Sequence, residues 1–178
     1  MHLEQESAGE ILALGDGTQA TVRPIAPGDG AALLRFHAHL SRRSVQMRYF
    51  YPHLQLGTDE VDHLTQVDGT NRVAFVVERD GDLIAVARYD RLGDPTTAEV
   101  AFVVADGWQH HGIASYLLQR LASCAKEVGI AAFTAEVLAE NAPMLAVFHQ
   151  AGFPVKTRCE QGTVSVSMAI GAKTEDAD

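Results

Sequence analysis

The run Val103-Val104-Ala105-Asp106-Gly107-Trp108-Gln109-His110-His111-Gly112-Ile113-Ala114 carries an apolar strand through a tight loop and straight into an amphipathic helix. Such a junction can hold a phosphorylated ligand. The first N–H groups of a helix lack intrahelical partners, and the aligned peptide dipoles leave roughly half a positive charge there. An anion settles on that end where side chains leave room; Gly112 has no Cβ, and Ala114 keeps the next turn small. Taken alone, the glycine fits a plain tight connection equally well. The chain has neither the Lys and Ser/Thr of a P-loop nor the three spaced glycines of a dinucleotide fold.

The elements around this loop are readable from periodicity. Ile113, Leu117, Leu118, Leu121, Ala122, Ala125 and Val128 recur on one helical face, and Gly129 ends that helix. Glu99 opens the apolar strand that feeds the loop. Upstream, Ile11–Leu14 and Thr18–Ile25 read as a hairpin across Gly15-Asp16-Gly17, and strands at 72–79 and 83–92 flank Asp80-Gly81-Asp82. Between them lie a helix with Ala32, Leu33, Phe36 and Leu40 on one face, a short helix capped by Ser41, and another at Thr58–Thr65. After the central helix come a strand at 131–138, a helix at 141–150 and two closing strands near 153–160 and 163–170.

Composition narrows the function classes. At 178 residues, with 47% hydrophobic residues and a mean hydropathy of −0.01, the chain reads as a single domain over 1–178, with its core at about 20–170. Residues 1–9 and 171–178 read as flexible tails, the latter ending in the acidic Glu175-Asp176-Ala177-Asp178. Against 23 acidic residues stand 14 basic ones, a net charge of −9. That balance argues against nucleic acid or an anionic membrane as partner and suits a cationic substrate. No apolar run approaches the ~20 residues of a membrane span and no signal peptide is visible, so a cytoplasmic protein is expected. Cys124 and Cys159 read as ordinary thiols. No metal is expected, because adjacent histidines rarely converge on one ion and no acid or Cys cluster completes a set.

Gln109-x-x-Gly112-x-Ala114, between an apolar strand and a helix, resembles the acyl-coenzyme A pyrophosphate loop of the GNAT N-acetyltransferase superfamily. A second block, Asn141-Ala142-Pro143-Met144 through Gly152-Phe153, resembles that family's next helix, and the two blocks are spaced as in the family. The likeness spans about residues 20–170. It implies an α/β (α+β) GNAT fold: a mixed, mostly antiparallel sheet of about seven strands flanked by helices.

The resemblance also assigns roles. Acetyl-CoA would be the co-substrate, held by Phe102, Val103 and Val104 along the pantetheine arm and by Gln109, His110, His111, Gly112, Ile113, Ala114 and Ser115 at the pyrophosphate. Asn141 would add a cofactor contact while capping its helix, with Pro143 in the first turn. Glu99 would be the catalytic base, since a lysine-type amine has a pKa near ~10.4 and must lose a proton. Glu136 and Glu140 are reserve candidates for substrate contact. Where many relatives carry a Tyr that protonates the departing thiolate, this chain has Phe148; a thiol of pKa ~8.5 can leave without a dedicated acid, and Tyr116 or water could substitute.

The segment Leu40–Phe50 with Val22-Arg23-Pro24-Ile25 and Asn141-x-x-Met144 is similar to bacterial protein-lysine acetyltransferase domains. A protein lysine is therefore the favoured acceptor, in a monomer or homodimer. Acetylation of a small amine such as a polyamine, amino acid or antibiotic is the enzyme alternative, and a non-catalytic acyl-CoA sensor the other. Arg42, Arg43 and Arg48 read as a solvated helical face.

Overall fold

In a computed structural model, which describes residues 9–171, the sequence folds as strands β1 (Glu10–Ala13), β2 (Gln19–Pro24), β3 (Arg72–Arg79), β4 (Asp82–Arg91), β5 (Thr97–Val104), β6 (Ala132–Leu138), β7 (Val155–Glu160) and β8 (Thr163–Ala169). The helices are α1 (Gly30–Ala38), α2 (Arg42–Tyr49), α3 (Thr58–Thr65), α4 (Ile113–Glu127) and α5 (Ala142–His149). The terminal segments read as tails lie almost wholly outside the described residues.

The strands form one sheet in the order β1-β2-β3-β4-β5-β6-β8-β7, eight strands as read along the chain, in keeping with the about seven that the resemblance implies. β1, the first strand of the hairpin read from sequence, is a four-residue edge strand whose Ile11 is 71% exposed. All neighbours pair antiparallel except β5 and β6, which are parallel. The turn after β3 holds both central residues at positive φ, Asp80 at 51° and Gly81 at 82°, which suits the twist of a two-residue hairpin.

Helices cover the sheet on both faces. On one face Leu117, Leu118 and Leu121 of α4 pack with Tyr89, Phe133 and Phe148 in the larger core; all six are at most 1% exposed. Each such side chain contributes roughly 1.5–3 kcal/mol by leaving water. On the other face Leu33 and Phe36 of α1 and Val61 of α3 bury Ala74, Val76 and Val86. That second cover is incomplete: beyond β5, the residues Glu136, Ser165, Ser167, Lys156 and Arg158 are exposed.

The entry to α1 is fixed by charge. Arg23 donates to both oxygens of Asp29 at 2.8 Å and to Glu78 at 2.9 and 3.1 Å, while the Ala26 amide donates to Asp29 at 2.7 Å. The Arg23 hydrogen bonds hold the Asp29 carboxyl below its ordinary value of 3.8, burial opposing them and the Ala26 amide adding to them. A carboxyl depressed by folding stabilises the fold above its unfolded pKa, and that contribution disappears as pH falls through the folded value. Asp29→Asn is therefore expected to be less stable than wild type at pH 7, with the gap closing below about pH 4. Thermal melts across that range measure it; a gap independent of pH would contradict the assignment.

Candidate active site

The site begins where β5 and β6 part. They pair at only three positions, Thr97 with Ala132, Ala98 with Phe133 and Glu99 with Thr134, and then splay. From Val100 to Val104 the edge of β5 facing β6 has no strand partner. Its peptide groups are free to bond a ligand lying in the wedge. At the open end of the wedge stand the loop before α4 and the start of α5. Together they enclose a cleft of about 500 Å³, within the usual size range of small-molecule sites.

The N-terminus of α4 is bare. Its N-cap, Gly112, has φ 82°, and no side chain caps the helix, whereas Ser41 and Asn141 cap α2 and α5. A Cβ at Gly112 would find nothing within 4 Å, so the space above it is open. His110 also has positive φ, 64°, so the loop curls and aims its amides outward. With no side chain among the described residues capping them, the N–H groups of Ile113, Ala114 and Ser115 could cradle an anion.

Of the eleven residues expected at the cofactor, ten line the cleft: Phe102, Val103, Val104, Gln109, His110, Gly112, Ile113, Ala114, Ser115 and Asn141. His111 does not. Its ring packs against Trp108 at 5.7 Å, and its Cα lies 3.5 Å from where a Cβ on Gly15 would be, so it supports the loop from beneath. Gln109 braces the loop, its Nε2 donating to the Val104 carbonyl at 3.2 Å and to Ser44 at 3.3 Å. The Asn141 side-chain oxygen accepts from the Met144 amide at 3.3 Å, which leaves its NH₂ group uncommitted.

Glu99 sits at the apex of the wedge, at the last paired position of β5, exposed and without a hydrogen-bond or ion-pair partner among the described residues. Phe102, the nearest cleft residue along the strand, is three positions away, roughly 10 Å at the usual strand rise. A carboxylate there could reach a group held at the apex directly or through a water. Glu140 lines the cleft; Glu136 lies outside it and accepts from Ser165 at 2.9 and 3.0 Å.

Two readings from sequence are narrowed. Tyr116 is no proton donor to the cleft: its hydroxyl bonds Glu10 of β1, whose carboxylate pushes the phenol up, and Arg120 holds that carboxylate at 2.9 Å. Phe148 is buried and packs edge-on against Phe102 at 5.9 Å. Arg42 and Arg43 are exposed, as a solvated face requires, and Arg48 is half-buried; Arg43 and Arg48 also line the cleft with Ser44 and Met47, while Arg42 does not. What sequence spacing missed is the tie that brings α2 there. Asp106 accepts from the Ser41 amide at 2.8 Å, from the Ser41 hydroxyl at 2.9 Å and from the Ser44 hydroxyl. Burial pushes the Asp106 carboxyl up, but these hydrogen bonds outweigh it and hold it below the ordinary range. Asp106→Ala should cost roughly 1–3 kcal/mol of stability and weaken acyl-CoA binding, since α2 loses its anchor at the cleft. Calorimetric melts and CoA titrations of the same variant test both effects; unchanged affinity would show that α2 holds its place without Asp106.

No group of three or more His, Cys, Asp or Glu among the described residues could hold a metal ion, and no described helix is long and apolar enough to cross a membrane.

A bare helix N-terminus facing a wedge between splayed parallel strands could hold a phosphorylated ligand with an extended arm, and comparison with known proteins gives the family. Residues 40–153 match the Acetyltransferase (GNAT) family. The chain is 33% identical over 152 residues to Acetyltransferase Pat of Mycolicibacterium smegmatis, covering 84% of this chain and 45% of that protein. It thus spans about half the length of that curated relative. The GNAT domain of PAT from S. lividans superposes with a TM-score of 0.84 at 37% identity, covering 90% of this chain and 96% of that one. A protein from Salmonella typhimurium, solved with its cofactor acetyl-CoA, shares the fold with a TM-score of 0.70 at 19% identity over 90% of this chain and 99% of that one. The chain belongs to the GNAT acetyltransferase family.

Proposed function

We propose that this protein is an acetyl-CoA-dependent N-acetyltransferase that transfers the acetyl group directly to a primary amine, with a protein lysine as the favoured acceptor. The observation that carries the reading is the wedge between β5 and β6, open at the bare N-terminus of α4 and closing at Glu99. The amides of Ile113 to Ser115 would bind the pyrophosphate, and the unpaired edge of β5 from Val100 to Val104 the pantetheine amides. The bound thioester supplies an activated acyl carbon. Glu99 would accept the proton that the acceptor ammonium must lose for its amine to attack, directly or by way of water. No Tyr hydroxyl serves the leaving group, and none is required, because an ordinary thiol has a pKa of only ~8.5 and water can protonate it.

A protein acceptor is favoured by the surface around Glu99. It stands on a sheet face left uncovered from β6 to β7, where Glu136, Ser165 and Ser167 are exposed, so a lysine on a folded partner can reach it. The likeness to Acetyltransferase Pat points the same way. Incubation with labelled acetyl-CoA and a panel of proteins and small amines tests this reading. Label on protein lysine supports it; label confined to polyamines, amino acids or antibiotics would move the acceptor to that class, and no transfer at all would leave an acyl-CoA sensor.

A further inference from the structure

Beneath α1 and α3, on the β4 side of β5, lies a second cavity of about 30 Å³, room for a carboxylate or one to two waters. Its walls are mostly apolar, but four of the side chains lining it carry hydrogen-bonding groups: Arg88, Arg48, Tyr49 and His37, whose Nε2 is already bonded to the His53 carbonyl at 2.5 Å. Arg88 is 4% exposed; its Nε donates to Asp90 at 3.2 Å and its Nη1 to the Leu64 carbonyl at 3.3 Å, while its Nη2 is buried with no hydrogen-bond partner among the described residues. Arg48 stacks over the Tyr49 ring at 4.7 Å and has no carboxylate partner among the described residues. No Asp or Glu lines the cavity. An unpaired buried guanidinium nitrogen is costly, and a pit holding donors without a carboxylate calls for an anion.

Position says whose anion. Arg48 and Val103 line both this cavity and the main cleft, so the two are adjacent alongside β5. Arg88 pairs across the sheet with Ala101, two residues from Glu99 on the same face. An amine would come to Glu99 from the uncovered face on the β6 side of β5, whereas the cavity lies on the β4 side. The group that reaches it is then the far end of the acyl chain.

We propose that the cavity is a carboxylate site for the transferred acyl group, so that the protein uses CoA thioesters of short dicarboxylic acids, such as succinyl-CoA, besides acetyl-CoA. The inference rests on the acyl-transfer reading above. The chemistry is the same transfer: the amine nitrogen bonds the acyl carbon, the carbon–sulfur bond breaks, the amine proton leaves towards Glu99, and water protonates the CoA thiolate. The ω-carboxylate takes no part and stays with the product, held meanwhile by Arg88 and Arg48. Methylenes of the acyl chain would meet Val103 and Leu40.

The test is calorimetric affinity for succinyl-CoA and acetyl-CoA without an amine, followed by transfer rates with each donor. Succinyl-CoA should bind at least tenfold more tightly than acetyl-CoA and be transferred to the same acceptors. Arg88→Met should abolish that advantage while leaving acetyl-CoA affinity unchanged, and Arg88→Lys, which keeps the charge, should retain part of it. Equal affinities of the wild-type protein for the two thioesters would overturn the proposal whether or not the variants fold. So would a preference for free amino acids over their decarboxylated amines with acetyl-CoA as donor, since the carboxylate would then belong to the acceptor. If neither thioester binds, the acyl-transfer reading itself fails.

Discussion

Glu99→Gln should lower turnover on an amine by roughly 10²-fold or more while acetyl-CoA affinity stays nearly unchanged. The side chain is exposed and carries no hydrogen bond or ion pair among the described residues, so its loss removes no structural contact. Its position at the last paired residue of β5 puts it beyond the stretch of strand that would hold the thioester arm, which is why binding should survive. Glutamine keeps the shape and loses the basicity. The deficit should shrink as pH rises, because a growing fraction of the acceptor amine arrives already deprotonated and needs no base. Steady-state rates from pH 6 to about 10 measure it, and an unchanged rate at neutral pH would remove Glu99 from the reaction.

Gly112→Val should abolish measurable CoA binding with a smaller loss of stability. Two effects add. The residue has φ 82°, a conformation a β-branched side chain resists at a cost of about 1–3 kcal/mol. The added carbons also enter space that is open in the structure and that the pyrophosphate needs. Gly112→Ala separates the two, since it brings most of the backbone strain and little bulk, and it should fall between wild type and Gly112→Val. Titration calorimetry reads the affinities, and wild-type affinity in Gly112→Val would sink the loop assignment.

The parts of this molecule that could be read from sequence are those whose signal is local. The stripe from Ile113 to Ala125 is six buried positions on one helix face, and each lies where helical spacing puts it. Ser41 caps α2 and Asn141 caps α5 because the capping bonds, to Ser44 and Met144, reach only three residues ahead. The wedge between β5 and β6 was not legible. It is set by where pairing stops, a property of two strands separated by a whole helix. Long-range contacts account for the other misses. Ser41 and Asp106 are 65 residues apart, and their bond is what brings Arg43 and Arg48 into the cleft. Tyr116 and Ser115 are neighbours on α4, yet one turn of 100° sends the first to Glu10 and leaves the second at the cleft. His110 and His111 divide in the same way, because positive φ at His110 turns the chain between them.

Amide chemical shifts recorded while acetyl-CoA is titrated into the labelled protein test the central claim most directly. The largest changes should fall on Gly112 to Ser115, where the pyrophosphate would sit, and on Val100 to Val104, along the unpaired edge of β5. Changes confined to other parts of the sheet, or a spectrum that does not move at all, would contradict an acyl-CoA site in the wedge.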